Sequence, residues 1–192
     1  MPFSQSAQIS AIVGFAVNLQ PRSVLDVGTG MGQYGFLLRT YLESVYLFEV
    51  SEQLRARQRR KDEWKVQIDG IEGFAGYLTP VHEYAYNRMM IGNALALLPT
   101  LPDASYELVL AIDILEHFDP EDGRRFLHEL RRIASRAVLV STPKEFHEQE
   151  VPANPLEDHR SVWTQQQLHE LGFDSVLADP ESWVAVARAA KA

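Results

Sequence analysis

The sequence predicts an α/β fold in which a mostly parallel, doubly wound sheet is covered by helices on both faces. Three observations carry that expectation. Apolar runs of strand length alternate with segments of helical period through most of the 192 residues. A glycine-rich turn, Gly28-Thr29-Gly30-Met31-Gly32, follows the first such run directly. The last two apolar runs are separated only by Asp179-Pro180-Glu181-Ser182. That is too short for a crossover, so they form an antiparallel pair.

Ile9, Ile12, Val13, Ala16 and Val17 recur at helical spacing, and Pro21 ends that segment. Ser23–Val27 reads as a buried strand, and Phe36, Leu37, Leu38, Tyr41 and Leu42 as a helix leaving the glycine turn. Val45 to Val50 fits either a strand or an apolar helix, because a short apolar run has no period of its own. Val66–Glu72 alternates as a strand does, Met89–Gly92 is a short strand, and Leu108–Ile112 is an apolar one ending at Asp113. Asp119 and Pro120 open a helix whose Phe126, Leu127, Leu130 and Ile133 face the core. Ala137–Val140 is a further buried strand, stopped by Pro143. Thr164 and Gln167 form a capping box, and Gly172 is a natural C-cap. Val176-Leu177 and Trp183–Val186 close the sheet.

A length of 192 residues implies one domain over 1–192, with an insertion-like segment at about 43–65 and a lid or acceptor segment at about 144–163. No cysteine is present, which excludes disulfide scaffolds, thiolate metal sites and cysteine nucleophiles and fits a reducing cytoplasm. A net charge of -8 disfavours nucleic acid and anionic membranes as partners. The basic run Arg55–Lys61 lies beside Glu52, Asp62 and Glu63 and reads as a solvated face. No apolar run reaches the ~18 residues of a membrane span, and Met1–Gln8 lacks the layout of a signal peptide.

In doubly wound sheets ligands bind beyond the carboxyl ends of the strands, so the residues that follow each strand are site candidates. These are Asp26 to Gly32, Glu72, Asn93, Asp113 and Ser141-Thr142. The glycine turn admits two readings. Gly30, Gly32 and Gly35 fit G-x-G-x-x-G, with Glu49 19 residues after Gly30, which is the dinucleotide pattern. Alternatively G-x-G-x-G starts at Gly28, directly after the strand, with Asp26 beside it. The second is favoured, since the strand should run into the first glycine and the Asp26 carboxylate would repel a pyrophosphate while suiting an ammonium group.

Val24-Leu25-Asp26-Val27-Gly28-Thr29-Gly30-Met31-Gly32, Leu108 to Phe118 and Val138 to Pro143, in that order, resemble the motifs of class I S-adenosylmethionine-dependent methyltransferases, in their small-molecule-like branch. The resemblance covers about residues 20–145, with an echo at His159–Thr164. It implies a Rossmann-like, seven-stranded, mostly parallel sheet with an antiparallel last strand. It also implies S-adenosylmethionine as cofactor, S-adenosylhomocysteine as product, and an acid on the ribose hydroxyls at the end of the second strand. Glu72 is chosen over Glu49 because it lies 21 residues before Asn93, one helix and one strand, whereas Glu49 would leave 44. Gly73 follows it, and Phe74 is a candidate for flanking the adenine. Asn93 and Ala94 correspond to the adenine contacts, Thr29 and the turn glycines to the cofactor cradle, and Asp113 to the methionine end. Asp113 also has an ordinary role as a helix cap.

His117 is the leading candidate for a base, because a histidine near neutral pKa accepts a proton from a hydroxyl, with a structural role as its alternative. His159 is a weaker candidate, placed with Arg160 in the lid. Glu145, His147, Glu148, Asp158 and His159 match no metal-ligand spacing, so no metal is expected and a polar lid is preferred. Tyr77, His82, Tyr84 and Tyr86 would cover the cofactor, form a homodimer contact, or simply pack. The expected reaction is methyl transfer to a small-molecule or sugar acceptor by in-line displacement. The alternatives are a non-catalytic S-adenosylmethionine-binding module and, further off, an NAD-dependent oxidoreductase.

Overall fold

Pro21 cannot continue a helix, and the chain turns at Gln20, whose backbone is left-handed at φ 51°. This ends helix α1 (Ile9–Leu19) and delivers the chain into strand β1 (Ser23–Val27). In the computed structural model, which describes residues 6–50 and 56–189, the elements then follow in order. They are α2 (Gln33–Glu43), β2 (Phe48–Val50), β3 (Ala56–Gln58), β4 (Gln67–Glu72), α3 (Pro80–Ala85), β5 (Arg88–Ile91) and α4 (Ala94–Leu97). After them come β6 (Tyr106–Ile112), α5 (Pro120–Ile133), β7 (Ala134–Pro143), α6 (Gln165–Glu170), β8 (Ser175–Leu177) and β9 (Ser182–Arg188).

Seven strands form one sheet in the order β5-β4-β1-β6-β7-β9-β8. β1 pairs in parallel with both β4 and β6, whereas β9 is antiparallel to β7 and to β8. The chain builds outward from β1 on one side, then returns to start again at β6 on the other. The carboxyl ends of β1 and β6 therefore flank the point where strand order reverses, which is where such sheets bind ligands.

Alternate strand residues point to opposite faces, and each face has its own core. Leu25, Val27, Val109, Ala111, Val138 and Val140 pack with α5 residues Phe126, Leu130 and Ile133 and with Trp163. Val24, Ile68, Leu108, Leu110 and Leu139 pack with Ile12 and Ala16 of α1 and Leu38 of α2. Burial on both faces explains why these strands read as continuous apolar runs. It also corrects the alternating pattern expected for Val66–Glu72: five of the six β4 positions are buried. Asp69 is among them, held by the Tyr106 hydroxyl at 2.7 Å.

Among the described residues, 43–65 adds no strand to the main sheet: a short 3-10 helix, Ser44–Leu47, follows α2 directly and leads into β2. β2 and β3 pair only with each other, with Glu49 opposite Arg57. Arg57 and Arg60 form ion pairs with Glu49, Asp62 and Glu63, as a solvated face does. Glu52 and Arg55 of the basic run lie outside the described residues. Buried Arg39 stitches the base of this excursion to the sheet. It donates to the Val66 carbonyl at 2.6 Å, the Ala85 carbonyl at 2.9 Å and Asn87 Oδ1 at 2.6 Å, and it stacks on Trp64 at 3.8 Å.

Candidate active site

A cleft of about 410 Å³ opens at the carboxyl ends of β1, β4 and β6. That is within the usual size range for a small-molecule site. The glycine turn forms one wall. Gly28, Gly30 and Gly32 have φ of 77°, 54° and 93°, a region that side-chain-bearing residues rarely adopt. A Cβ on Gly28 would also lie 2.7 Å from Ile114 Cδ1, so that side chain would have to shift.

Glu72 ends β4 with its carboxylate against that turn. Oε2 accepts from the Gly30 N–H at 2.8 Å, and Oε1 from the Phe74 N–H at 2.9 Å. Burial raises its pKa, and the two backbone donors pull the other way. Behind it, the Thr79 N–H donates to His82 Nδ1 at 3.0 Å, so neutral His82 carries its proton on Nε2, 3.1 Å from the Thr29 hydroxyl. Thr29 in turn points at Glu72 Oε2, 3.4 Å away. Glu49, in contrast, is half exposed on the β2–β3 hairpin and paired with Arg57.

Thr29, Gly30, Gly73, Asn93, Ala94, Asp113, His117 and His159 all line the cleft together with Glu72. Asp26 and Gly32 do not. Asp26 lies beneath the turn, 2 % exposed, accepting from the Tyr86 hydroxyl at 2.6 Å. Burial pushes its carboxyl up to about 6. Its place is under the loop, as an anchor. Asn93 caps α4, accepting from the Leu95 N–H at 2.8 Å. Asp113 does not cap the next helical turn. Its backbone is left-handed at φ 51°, and its carboxylate accepts from Gln8 Nε2 at 2.5 Å and Ser141 Oγ at 2.6 Å. Phe74 packs edge-on against Tyr77, with ring centroids 4.9 Å apart, and Tyr77 faces the cleft instead. His82 and Tyr86 are buried packing beneath the turn, and Tyr84 packs on Phe36.

Residues of the segment 144–163, among them His147, Leu156, Glu157, His159 and Arg160, line the cleft. The Arg160 and Ser161 N–H groups donate to the Glu116 carbonyl at 2.8 and 3.1 Å, tying the segment to the stretch after β6. Trp163 pins its far end in the core, where a Cβ on Gly123 would lie 2.5 Å from the indole. Leu156 sits above Gly73, its Cδ1 2.6 Å from where a Cβ would stand.

Glu116 was not among the residues singled out by sequence reasoning. It is 4 % exposed, and burial beside Asp113 pushes its carboxyl up to about 8, with Thr142 opposing. Thr142 Oγ1 and Glu116 Oε2 nevertheless do not close a hydrogen bond. Next to it, the His117 and His159 rings stand 5.1 Å apart, and burial lowers the His117 pKa. The signal available in the sequence was the adjacent pair Glu116-His117 directly after an apolar strand.

A mostly parallel sheet with strand order reversing at a glycine turn, an acid at the next strand end and an antiparallel last strand defines a Rossmann-like, methyltransferase-type protein. Residues 25–140 match the methyltransferase domain family, and the chain belongs to that family. Its cofactor is S-adenosylmethionine, and it is an S-adenosylmethionine-dependent methyltransferase. Solved structures share the fold. The SAM-dependent methyltransferase of Archaeoglobus fulgidus is 15% identical with a TM-score of 0.60, covering 94% of this chain and 93% of that one. The N-terminal domain of EvdMO1, crystallised in the presence of SAH and D-fucose, is 17% identical with a TM-score of 0.64, over 97% and 84%. The magnesium protoporphyrin IX methyltransferase of Synechocystis PCC 6803, with bound SAH, is 14% identical with a TM-score of 0.59, over 95% and 82%. No curated protein matches the sequence.

The family bears out the reading of the turn that starts at Gly28 over the dinucleotide alternative. Glu49, the acid that alternative requires, stands on the β2–β3 hairpin paired with Arg57 and not at the cleft. Among the described residues, no helix is long and apolar enough to cross a membrane.

Proposed function

We propose that this methyltransferase acts on a hydroxyl of a small molecule or sugar, which approaches the cofactor through the Glu116–His117–His159 end of the cleft. The observation that carries this reading is the division of the cleft. One end is glycine turn and Glu72; the other carries two histidines and a buried carboxyl beneath a polar lid. D-fucose accompanied SAH in the EvdMO1 structure, which makes a sugar acceptor a reasonable class for a similar fold.

S-adenosylmethionine supplies, when bound, an electrophilic methyl group on a sulfonium sulfur. The chain's own residues bind and orient. Glu72 has lone pairs beyond those used by Gly30 and Phe74, and these suit ribose hydroxyls. The glycine turn admits the amino-acid portion of the cofactor against its backbone. The Asn93 side-chain amide and the Ala94 N–H suit the adenine edge, although Asn93 Oδ1 already serves the α4 cap. Asp113, fixed by Gln8 and Ser141, borders the methionine end. His117 and His159 receive the acceptor's hydroxyl, and the lid over 144–163 excludes water from the transfer.

Calorimetric titration with S-adenosylmethionine, S-adenosylhomocysteine and NAD in parallel tests the cofactor end. The expected result is micromolar binding of the two sulfur ligands and none of NAD. Glu72→Ala is expected to weaken that binding at least about tenfold, a loss of ~1.4 kcal/mol, and Glu49→Ala to leave it unchanged. The reverse pair of results would remove Glu72 from the ribose site. A screen of hydroxylated acceptors, read as S-adenosylhomocysteine released, tests the acceptor class. Turnover with amine acceptors alone would refute it.

A further inference from the structure

Glu116, His117 and His159 each place one ligand-type atom within 4.8 Å of the others. Two hydrogen bonds decide what those atoms offer. His117 Nδ1 lies 3.3 Å from the Asp158 carbonyl oxygen, and His159 Nδ1 lies 2.6 Å from the His147 carbonyl oxygen. A carbonyl only accepts, so Nδ1 carries the proton in both rings. His159 is left with a lone pair on Nε2, and His117 likewise with its proton on Nδ1, although the Asp113 backbone also interacts with the His117 ring. Metal-bound histidines are held the same way, the other ring nitrogen donating to a backbone carbonyl. The third group is Glu116, whose Oε2 is buried without a hydrogen-bond partner. Three groups that can each offer a lone pair thus converge, Glu116 once a cation has displaced the proton that burial holds on its carboxyl.

The surroundings favour a cation. Glu72, Asp113, Asp122 and Glu157 also line the cleft, against the single guanidinium of Arg160. Asp113 stands next to the cluster, yet its oxygens are engaged by Gln8 and Ser141, so it contributes charge and not a free ligand. Two imidazoles and one carboxylate suit a first-row transition ion, whereas magnesium and calcium prefer oxygen alone. Three protein ligands leave coordination positions open.

We propose that Glu116, His117 and His159 bind a divalent first-row transition-metal ion, whose open positions take up the acceptor's hydroxyl oxygen. The second half rests on the acceptor reading given above; the first half stands on the cluster alone. A metal-bound hydroxyl is more acidic than a free one. Its proton would leave to solvent base, and the oxygen's electron pair would form the new oxygen–carbon bond as the methyl–sulfur bond of S-adenosylmethionine breaks, that pair going to sulfur to leave S-adenosylhomocysteine. His159 comes from the 144–163 segment, so the site is assembled from two stretches of chain, tied together by the Arg160 and Ser161 N–H groups on the Glu116 carbonyl.

The test uses the full chain, stripped with chelator and titrated with Co²⁺ alone, followed by calorimetry and visible absorption. Binding of one equivalent is expected, with d–d bands of imidazole-ligated cobalt. Glu116→Gln and His159→Gln are each expected to lower the affinity at least about tenfold. His128→Gln, on the exposed face of α5, is expected to leave it unchanged. His159→Gln lies in the lid outside the core, so it tests the site even where Glu116→Gln fails to fold. No saturable Co²⁺ uptake by the wild type, or uptake unaltered in both variants, overturns the site. Displacement of Co²⁺ by equimolar Mg²⁺ overturns its imidazole character. S-adenosylhomocysteine binding is measured on the same samples: retained with no Co²⁺ uptake, it refutes the metal alone, and lost, it strikes the cofactor reading instead.

Discussion

Asp26 is the residue on which the glycine turn rests. Its carboxylate accepts from the Tyr86 hydroxyl, and that oxygen in turn accepts from the Gly35 N–H at 3.1 Å. Burial is the largest influence on Asp26 and raises its pKa from 3.8 to about 6. The folded protein therefore holds a proton there that the unfolded chain has released between those two values. Stability contributed by this group is present below about pH 4 and declines as pH rises toward about 6. Asp26→Asn keeps an acceptor for Tyr86 and removes the titration. The variant's melting temperature is expected to fall less than the wild type's between pH 4 and 6, by up to about 3 kcal/mol of stability difference. Parallel profiles in a thermal-melt series would show that Asp26 does not titrate there. Tyr86→Phe removes the donor and leaves the buried carboxyl and the Gly35 N–H unpaired, which costs about 1–3 kcal/mol. Chemical denaturation measures that loss.

Helix α2 shows why position inside an element matters more than residue type. Gly35 is helical and makes the closest approach of that helix to Tyr86. Gly35→Ala forces a Cβ into an aromatic ring that is 1 % exposed. A loss of about 3 kcal/mol or more is expected in urea unfolding, the upper end of overpacking. Gly14, in the middle of α1, has open space where its Cβ would stand. Gly14→Ala is expected to raise stability by about 0.5–1 kcal/mol, because glycine is the costlier residue in a helix interior. Equal effects at the two positions would contradict the packing described for α2. The capping box at α6 is of the same local kind. Thr164 accepts from the Gln167 N–H at 3.2 Å, and Thr164→Ala is expected to cost about 1 kcal/mol in the same assay.

Across the whole molecule, Arg39 joins parts of the chain that are far apart in sequence. Its side chain is fully buried and bridges α2, the end of the 43–65 excursion and the α3–β5 connection. Arg39→Met would leave the Glu43 carboxylate buried without its ion pair, an expected loss of about 3–5 kcal/mol. A melting curve that barely moves would mean that Glu43 is satisfied by the Lys65 and Val66 N–H groups alone.

Much of this architecture was legible in local pattern. Buried runs such as Leu108–Ile112 announced strands, Pro21 and Pro120 marked helix boundaries, and the short Asp179–Ser182 connection forced an antiparallel pair. These signals lie within a few residues of one another, and steric and hydrophobic rules act at that range. Glu72 at the turn was also within reach, because the spacing to Asn93 measures one helix and one strand. The polar sites were harder. Asp26 and Asp113 were read from their strand ends as ligand and cap contacts, but Tyr86, Gln8 and Ser141 claim their carboxylates from distant parts of the chain. The 43–65 segment was ambiguous because a three-residue strand has no period. The sequence by itself determined the class of sheet, the glycine turn and the acid beside it. Only the tertiary structure decided which carboxylates are engaged and which face the cleft, and only it brought Glu116, His117 and His159 together. Hydrogen-bond partners and burial depend on side chains that meet through folding, and no local spacing encodes that meeting.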